Sequence, residues 1–299
     1  MTYLVGYGPR NDDRSAVELA CQLARSEPRP VQVVSVVPQG WSTPAASGTD
    51  REYESWAAHE GETAAAQARE ELARHSSVDG SASWASGRSV PQVLMDEAAR
   101  QDAWMLVVGS SEEAAAGRIR LSSKTDRLVH SASIPVAVAP RGYRSSAAVT
   151  RVTVGFRDDD AGWSLLDRVA ELCRRIDARV RLVTFVVAPA RRPVTTPVSH
   201  VETQVIELWK GRAGTALDLA QDHLRRRGFA EDRIEQRLVE GGDWERAIGA
   251  LDWTDGDVLV VGSSSTHPVA RVFLGSSAAR ILRNAPVPTV IVPGTGGAS

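Results

Sequence analysis

The chain has 299 residues, about twice the usual domain length, so two domains are expected. Its 42% hydrophobic and 24% charged residues describe an ordinary globular protein, and 35 Lys and Arg against 37 Asp and Glu argue against a dedicated nucleic-acid or anionic-membrane binder. Two cysteines, Cys21 and Cys173, exclude a disulfide framework and a four-cysteine zinc site, and no apolar run approaches the roughly 20 residues of a membrane span. Only Lys124 and Lys210 are lysines, so the basic charge is almost entirely arginine. The first residues read as a strand rather than an export signal, which makes the cytoplasm the expected compartment.

In chain order, Leu4–Tyr7 predicts a first strand, and Ala16, Leu19, Ala20, Leu23 and Ala24 follow at helical spacing. Asp12 or Asp13 would cap that helix. A buried strand over 31–37 comes next, then a long irregular segment leading into a helix at about 60–75. A weaker strand over 81–86, a helix over 90–100 and the very apolar strand 104–109 follow. A helix opening near Ser122 leads to the last strand, at Ile134–Pro140.

The series then repeats. Leu4-Val-Gly-Tyr7 returns as Thr153-Val-Gly-Phe156, and the run at 31–37 returns as Val180–Val186, both 149 positions on. Met105–Ser110 returns as Val258–Ser263 and Ile134–Pro140 as Val287–Pro293, both 153 positions on. A duplication explains this, with domains at 1–142 and 149–295 and a polar stretch between them. The second copy should carry a helix capped by Asp158, Asp159 or Asp160, a strand at 180–187 and a helix at 203–227. A strand at 234–239, a helix at 243–251, a strand at 258–262 and a helix opening at Gly275 complete it. Unbroken Val/Leu/Ile runs alternating with helices predict α/β domains, each a doubly wound parallel sheet covered on both faces. A bare apolar last strand is a liability, so Pro135–Ala139 and Pro288–Val292 are expected to pair across a pseudo-two-fold axis.

Ligands bind open parallel sheets at the carboxyl ends of strands, where the strand order reverses. After strand four the second copy reads Gly262-Ser-Ser-Ser-Thr-His and reaches Gly275-Ser-Ser before a helix. Gly275, Ser276 and Ser277 would offer backbone N–H groups and hydroxyls to phosphate, whereas a plain turn and an N-cap are the structural alternative.

A strand ending Val-Val-Gly-Ser, a glycine-serine pair thirteen residues later, a helix, and then Ala-Pro-Val-Pro-Thr-Val-Ile-Val together resemble the universal stress protein family. The resemblance covers essentially the whole chain and implies a tandem member with two five-stranded, adenine-nucleotide-binding-like domains. Nucleotide-binding members carry Gly-x₂-Gly-x₉-Gly-Ser/Thr after strand four and an aspartate at the end of strand one. Against that pattern Gly262, Gly275 and Ser276 match, Ser265 replaces the middle glycine and Arg157 stands at the aspartate position. In the first copy Gly109 and Ser123 match, but Glu112 and Ser122 replace glycines and Gly8 replaces the aspartate. A glutamate repels phosphate, and a Cβ is unwelcome if the backbone needs φ > 0, so the first site reads as disabled.

Other signatures are missing. There is no Gly-x₄-Gly-Lys-Ser/Thr, no Gly-x-Gly-x-x-Gly and no Gly-x-Ser-x-Gly. His59, His75, His130, His200, His223 and His267 are scattered, and read as surface or helix-end residues. Asp158-Asp-Asp160 lacks calcium-loop spacing and reads as a cap, and Arg225-Arg-Arg227 before Gly228 reads as a helix C-terminus. Cys21 and Cys173 read as buried, unpaired helical thiols. Trp41, Trp56 and Trp209 fall in segments expected to be the most mobile, Gln39–Glu60 and Pro189–Val201 or just beyond, and read as pinning loops to their own domain.

The resemblance implies a non-catalytic stress-response regulatory or binding module with a partly degenerate nucleotide site. The alternative is an ATP-binding switch or slow ATPase using the second copy alone. Its ATP or ADP would be held by Gly262, Ser263, Ser265, Gly275, Ser276 and Ser277, with Phe185 and Arg157 bordering the base. No metal, nucleic acid or membrane is expected as a partner, and a homodimer or a protein partner is left open.

Overall fold

The computed structural model describes residues 1–8, 13–39, 48–187, 200–263 and 274–294. The chain divides into two compact units, Met1–Ala148 and Val149–Ser299.

The first unit runs β1 (Thr2–Tyr7), α1 (Ser15–Ser26), β2 (Val31–Pro38), α2 (Gly48–Ala73) and β3 (Gly80–Gly87). It continues with α3 (Val90–Arg100), β4 (Ala103–Gly109), α4 (Ser123–Ser131) and β5 (Val136–Ala139). The strands are all parallel in the order β3-β2-β1-β4-β5. Successive residues such as Leu4 and Val5 are both fully buried, because helices cover both faces of the sheet. That explains the unbroken apolar runs where a half-exposed strand would alternate. Helices α1 and α2 pack together on one face, α3 and α4 on the other. At Gly6, on β1, a Cβ would lie 2.8 Å from Leu94 Cδ1, so this glycine lets α3 settle onto the strand.

The second unit repeats the plan with β6 (Arg151–Gly155), α5 (Asp160–Arg175), β7 (Arg179–Val187), α6 (His200–Arg226) and β8 (Ile234–Gly241). Helix α7 (Trp244–Gly249), β9 (Asp257–Gly262), α8 (Ser276–Asn284) and β10 (Thr289–Val292) follow, after a single 3₁₀ turn at Glu231–Arg233. Its parallel order is β8-β7-β6-β9-β10. The four extra residues of this copy therefore leave the topology unchanged.

Asp159 caps α5 as expected, whereas α1 has Arg14 at its N-cap with no side-chain bond, and Asp13 stands one residue earlier. Asp13 accepts from Ser15 N (3.1 Å) at the start of α1, and Asp159 accepts from Gly162 N (2.8 Å) at the start of α5. Gly228 takes φ +89° just past α6, with Phe229 N donating to Leu224 O (3.1 Å). The long segment after β2 differs from expectation. It is helical from Gly48, because Glu and Ala dominate 52–73 and no proline follows Pro44 there. Trp56 and Trp209 consequently ride on helices, 40% and 54% exposed, rather than pinning loops. Trp41 and the stretch 188–199 lie outside the described residues. Helix α7 is shorter than the 243–251 expected.

The polar stretch after β5 is fastened to α1 of its own unit. Tyr143 Oη donates to Gln22 Oε1 (2.7 Å), Gln22 Nε2 to Ser145 Oγ (3.1 Å), and Arg25 Nη2 to Ser145 O (2.8 Å). No helix of the described residues is long and apolar enough to cross a membrane.

Candidate functional site

In the first unit the chain leaves β1 toward β2 on one side and later returns to place β4 on the other. The strand order reverses between β1 and β4, and helices on opposite faces leave a gap there. A cleft of about 1120 Å³ occupies that gap. Gly6, Val36, Gly87 and Gly109, at or near the ends of their strands, contribute to its lining. Leu94 and Leu128 form an apolar wall, Trp56 and Glu60 reach it from α2, and the first turns of α3 and α4 close one end.

The loop after β4 is tied down. Ser110 Oγ accepts from Arg120 N (2.8 Å), Ser111 N donates to Arg120 O (2.8 Å), and Ala114 N closes a turn onto Ser111 O (2.9 Å). Glu112 and Glu113 occupy the two corners of that turn, and both line the cleft. At the start of α4, Ser122 adopts φ −70° and ψ 163°, and its hydroxyl accepts from Thr125 N (3.2 Å). The strain expected from losing a glycine here is therefore absent. Gly275, its counterpart, also sits in the extended region at φ −60° and ψ 160°, which any residue adopts at an N-cap. Glu112 is likewise not among the described non-glycine residues with positive φ. Only the charge argument against the first site survives.

In the second unit Gly262 ends β9 and Gly275 opens α8, so both lie at the carboxyl edge of the sheet. The N–H groups of Ser276 and Ser277 precede the first intrahelical bond, Ala279 N to Gly275 O (2.9 Å), and the first turn holds no acidic residue. Ser263 is buried, and its hydroxyl already accepts from Gly294 N (2.7 Å). Arg157 is exposed but ion-paired with Asp159, the residue that caps α5. Phe185 packs against Trp244, with ring centroids 5.9 Å apart, beside Val183, Val239, Ala247 and Leu251. By the 149-residue offset Phe185 matches Val36, and by place in the fold Trp244, the first residue of α7, matches Val90, the first of α3. Two small linings of the first cleft thus become two rings that meet. Ser265 and His267 lie outside the described residues.

Sequence reasoning missed two clusters. Glu18, Glu71 and His75 come together with ligand atoms within 4.8 Å of one another. Their surroundings are those of an ion-pair network. Arg14 and Arg74 hold Glu71 at 2.7 and 3.1 Å. Arg25 Nη1 lies 3.4 Å from His75 Nδ1, a further cation beside the two carboxylates. His223 Nε2 meets Asp167 Oδ1 at 2.6 Å, with the Trp163 ring 5.5 Å away. Neither cluster shows in the sequence, since Glu18 lies more than 50 positions before Glu71 and His75, and Asp167 more than 50 before His223.

Comparison with known proteins gives consistent results. The model of the Universal stress protein family matches residues 1–140 and again 148–293. Universal stress protein Rv2319c of Mycobacterium tuberculosis and Universal stress protein Mb2346c of Mycobacterium bovis are each 33% identical over 296 residues. The alignment spans 98% of this chain and 100% of theirs. The crystal structure of a universal stress protein from Archaeoglobus fulgidus DSM 4304 aligns with TM-score 0.58 over 98% of this chain and 97% of that one. Identity there is 14%, so that likeness is one of fold.

Proposed function

Because the chain belongs to the universal stress protein family and carries two of its domains in tandem, we propose that it is a non-catalytic stress-response binding module. Its adenine-type ligand occupies the cleft of the first unit. The observation that carries this reading is the open cleft at the switch point between β1 and β4, with apolar walls and two helix N-termini at one end. A volume of about 1120 Å³ is ample for a nucleoside, given that ligand pockets run from roughly 300 to 1,000 Å³. Serines at the rim support binding over chemistry. Ser110 and Ser122 bond to main-chain groups rather than to a general base.

Mass spectrometry of small molecules released from gently purified protein tests this directly. A copurified nucleoside or nucleotide is expected. Val36→Phe, which imports the second unit's ring into the first cleft, should weaken binding at least tenfold in calorimetric titration. Undiminished binding by that variant would remove the first cleft from consideration.

A second reading has its own observation. The start of α8 has no side-chain cap on Gly275 and no acid in its first turn, which favours an anion. In that reading Gly262, Ser263, Ser265, Gly275, Ser276 and Ser277 hold ATP or ADP, Phe185 and Arg157 border the base, and the protein is a switch or slow ATPase. Gly275→Glu would then abolish ATP binding, and Ser265→Gly would tighten it several-fold. In the first reading neither change alters the titration.

A further inference from the structure

Helix α2 is longer than the strand it follows. Its 26 residues span about 39 Å, against about 26 Å for the eight residues of β2. On the side that packs against β2 and β3, Ala57, Ala64, Ala65, Ala68 and Leu72 are buried. At Gly61 a Cβ would lie 2.6 Å from Trp84 Cδ2 of β3, so small residues seat this part of the helix close on the sheet. Residues 51–56 are all exposed. The first turns of α2 thus overhang the carboxyl edge and carry Trp56 into the lining of the first cleft.

Tyr53, one turn earlier, sets its ring against the indole with centroids 5.5 Å apart. That contact steadies Trp56 without covering it, for it remains 40% exposed. The other aromatic residue of the lining, Tyr7, is buried, and Val36, Val37, Leu94 and Leu128 add aliphatic surface. An exposed indole on overhanging turns does nothing for the core, and the second unit shows that the fold does not require it. The buried positions Ala64, Ala65, Ala68 and Leu72 return in α6 as Ala216, Leu217, Ala220 and Leu224, each 152 positions on. At that same offset Tyr53 and Trp56 become Val205 and Leu208, both aliphatic. The aromatic pair is therefore particular to the first unit, where it stands beside a cleft with aliphatic walls.

We propose that Trp56 stacks on the purine ring of the ligand in the first cleft and is the residue by which this unit recognises the base. A flat ring there meets aliphatic side chains from the sheet, α3 and α4, and an indole from α2. Losing an aromatic that stacks on a base costs about tenfold or more in affinity. This rests on the reading that the cleft takes an adenine-type ligand, and the test keeps the two apart. The whole chain is titrated calorimetrically with adenosine and AMP, as wild type, Trp56→Leu and Trp56→Phe, and each form is unfolded in urea.

Trp56→Leu, which installs the second unit's residue, should weaken adenosine and AMP by the same factor, about tenfold, because the two share the ring. Trp56→Phe should keep most of the affinity. Both variants should unfold at the wild-type urea midpoint, since the side chain lies outside the core. Val36→Phe should weaken both ligands, which locates the binding in this cleft. Equal adenosine affinity in wild type and Trp56→Leu overturns the proposal and leaves the underlying reading intact. So does a loss in Trp56→Leu that Trp56→Phe shares in full. Failure of wild type to bind either ligand overturns the underlying reading, and this proposal with it.

Discussion

Burial pushes the Cys21 and Cys173 thiols up to about 12, because each side chain is fully covered and a thiolate there would lose its hydration. Arg25 and Arg233 pull the two thiols back down by less. Both cysteines are unpaired. The linkage has a definite sign: the folded state holds these protons more tightly than the unfolded chain, so their contribution is complete below about pH 9 and is lost as pH rises toward 12. Each thiol should lower stability by about 1.4 kcal/mol per pH unit in that window. Urea midpoints at pH 8, 9.5 and 10.5, compared with Cys21→Ala and Cys173→Ala, should show a shallower alkaline decline in each variant. An identical slope would contradict the assignment. At neutral pH neither thiol should react with iodoacetamide until the chain is unfolded.

Among the elements, β7 departs most from its sequence pattern. Its run at 180–187 reads as buried and apolar, yet Arg181 lies fully buried within it. The guanidinium donates from Nε to Thr153 Oγ1 (3.0 Å) and from Nη1 to Asp252 Oδ1 (3.0 Å), and lies 4.6 Å from the Trp253 ring. Asp257, also buried, takes two bonds from Arg151 (2.8 and 2.7 Å) and one from Thr254 N (2.9 Å). Asp257→Ala should cost about 3 kcal/mol or more in urea unfolding, because it strands two arginines that its charge balances. A loss under 1 kcal/mol would show that Asp252 and Glu235 suffice. Gly228→Ala should cost about 1 kcal/mol, since φ +89° is strained for any side chain. The strands, the parallel fold and most helices were legible because period and repeat encode them locally. The early start of α2 was hidden by reading Gly, Thr and Ser as loop formers, where the Glu and Ala further on decide. Arg181 was unreadable for a different reason: its partners lie 28 and 71 positions away, and only the sheet joins them.

For the molecule as a whole, duplication has not kept equivalent positions alike: Val36 lines the first cleft, whereas Phe185 packs on Trp244 in the second unit. Gly109 and Gly262, and Ser123 and Ser276, mark the equivalent loops in sequence, and that much of the site was legible. Which half binds was not, because in the reading proposed above it turns on side-chain volume at Val36 and Phe185, two positions outside the glycine motif. We therefore expect one equivalent of AMP per chain in a titration of the intact protein. A stoichiometry of two would mean that Phe185 and Trp244 leave room for a ligand after all.

The scarcity of lysine gives the first cleft a chemical address. Besides the terminal amine, the chain has two primary amines to offer an acylating reagent, and they are unequal. Lys210 is clasped by Glu240 (2.8 Å) and Glu207 (2.9 Å), which hold its proton more tightly than usual and so slow its attack on an active ester. Lys124, on the first turn of α4, bears no such clasp among the described residues. A limiting dose of an N-hydroxysuccinimide ester should mark Lys124 ahead of Lys210, and a ligand seated in the cleft should shield it. A dye or photocrosslinker attached there would then report on, or capture, whatever occupies the first unit without any engineered residue.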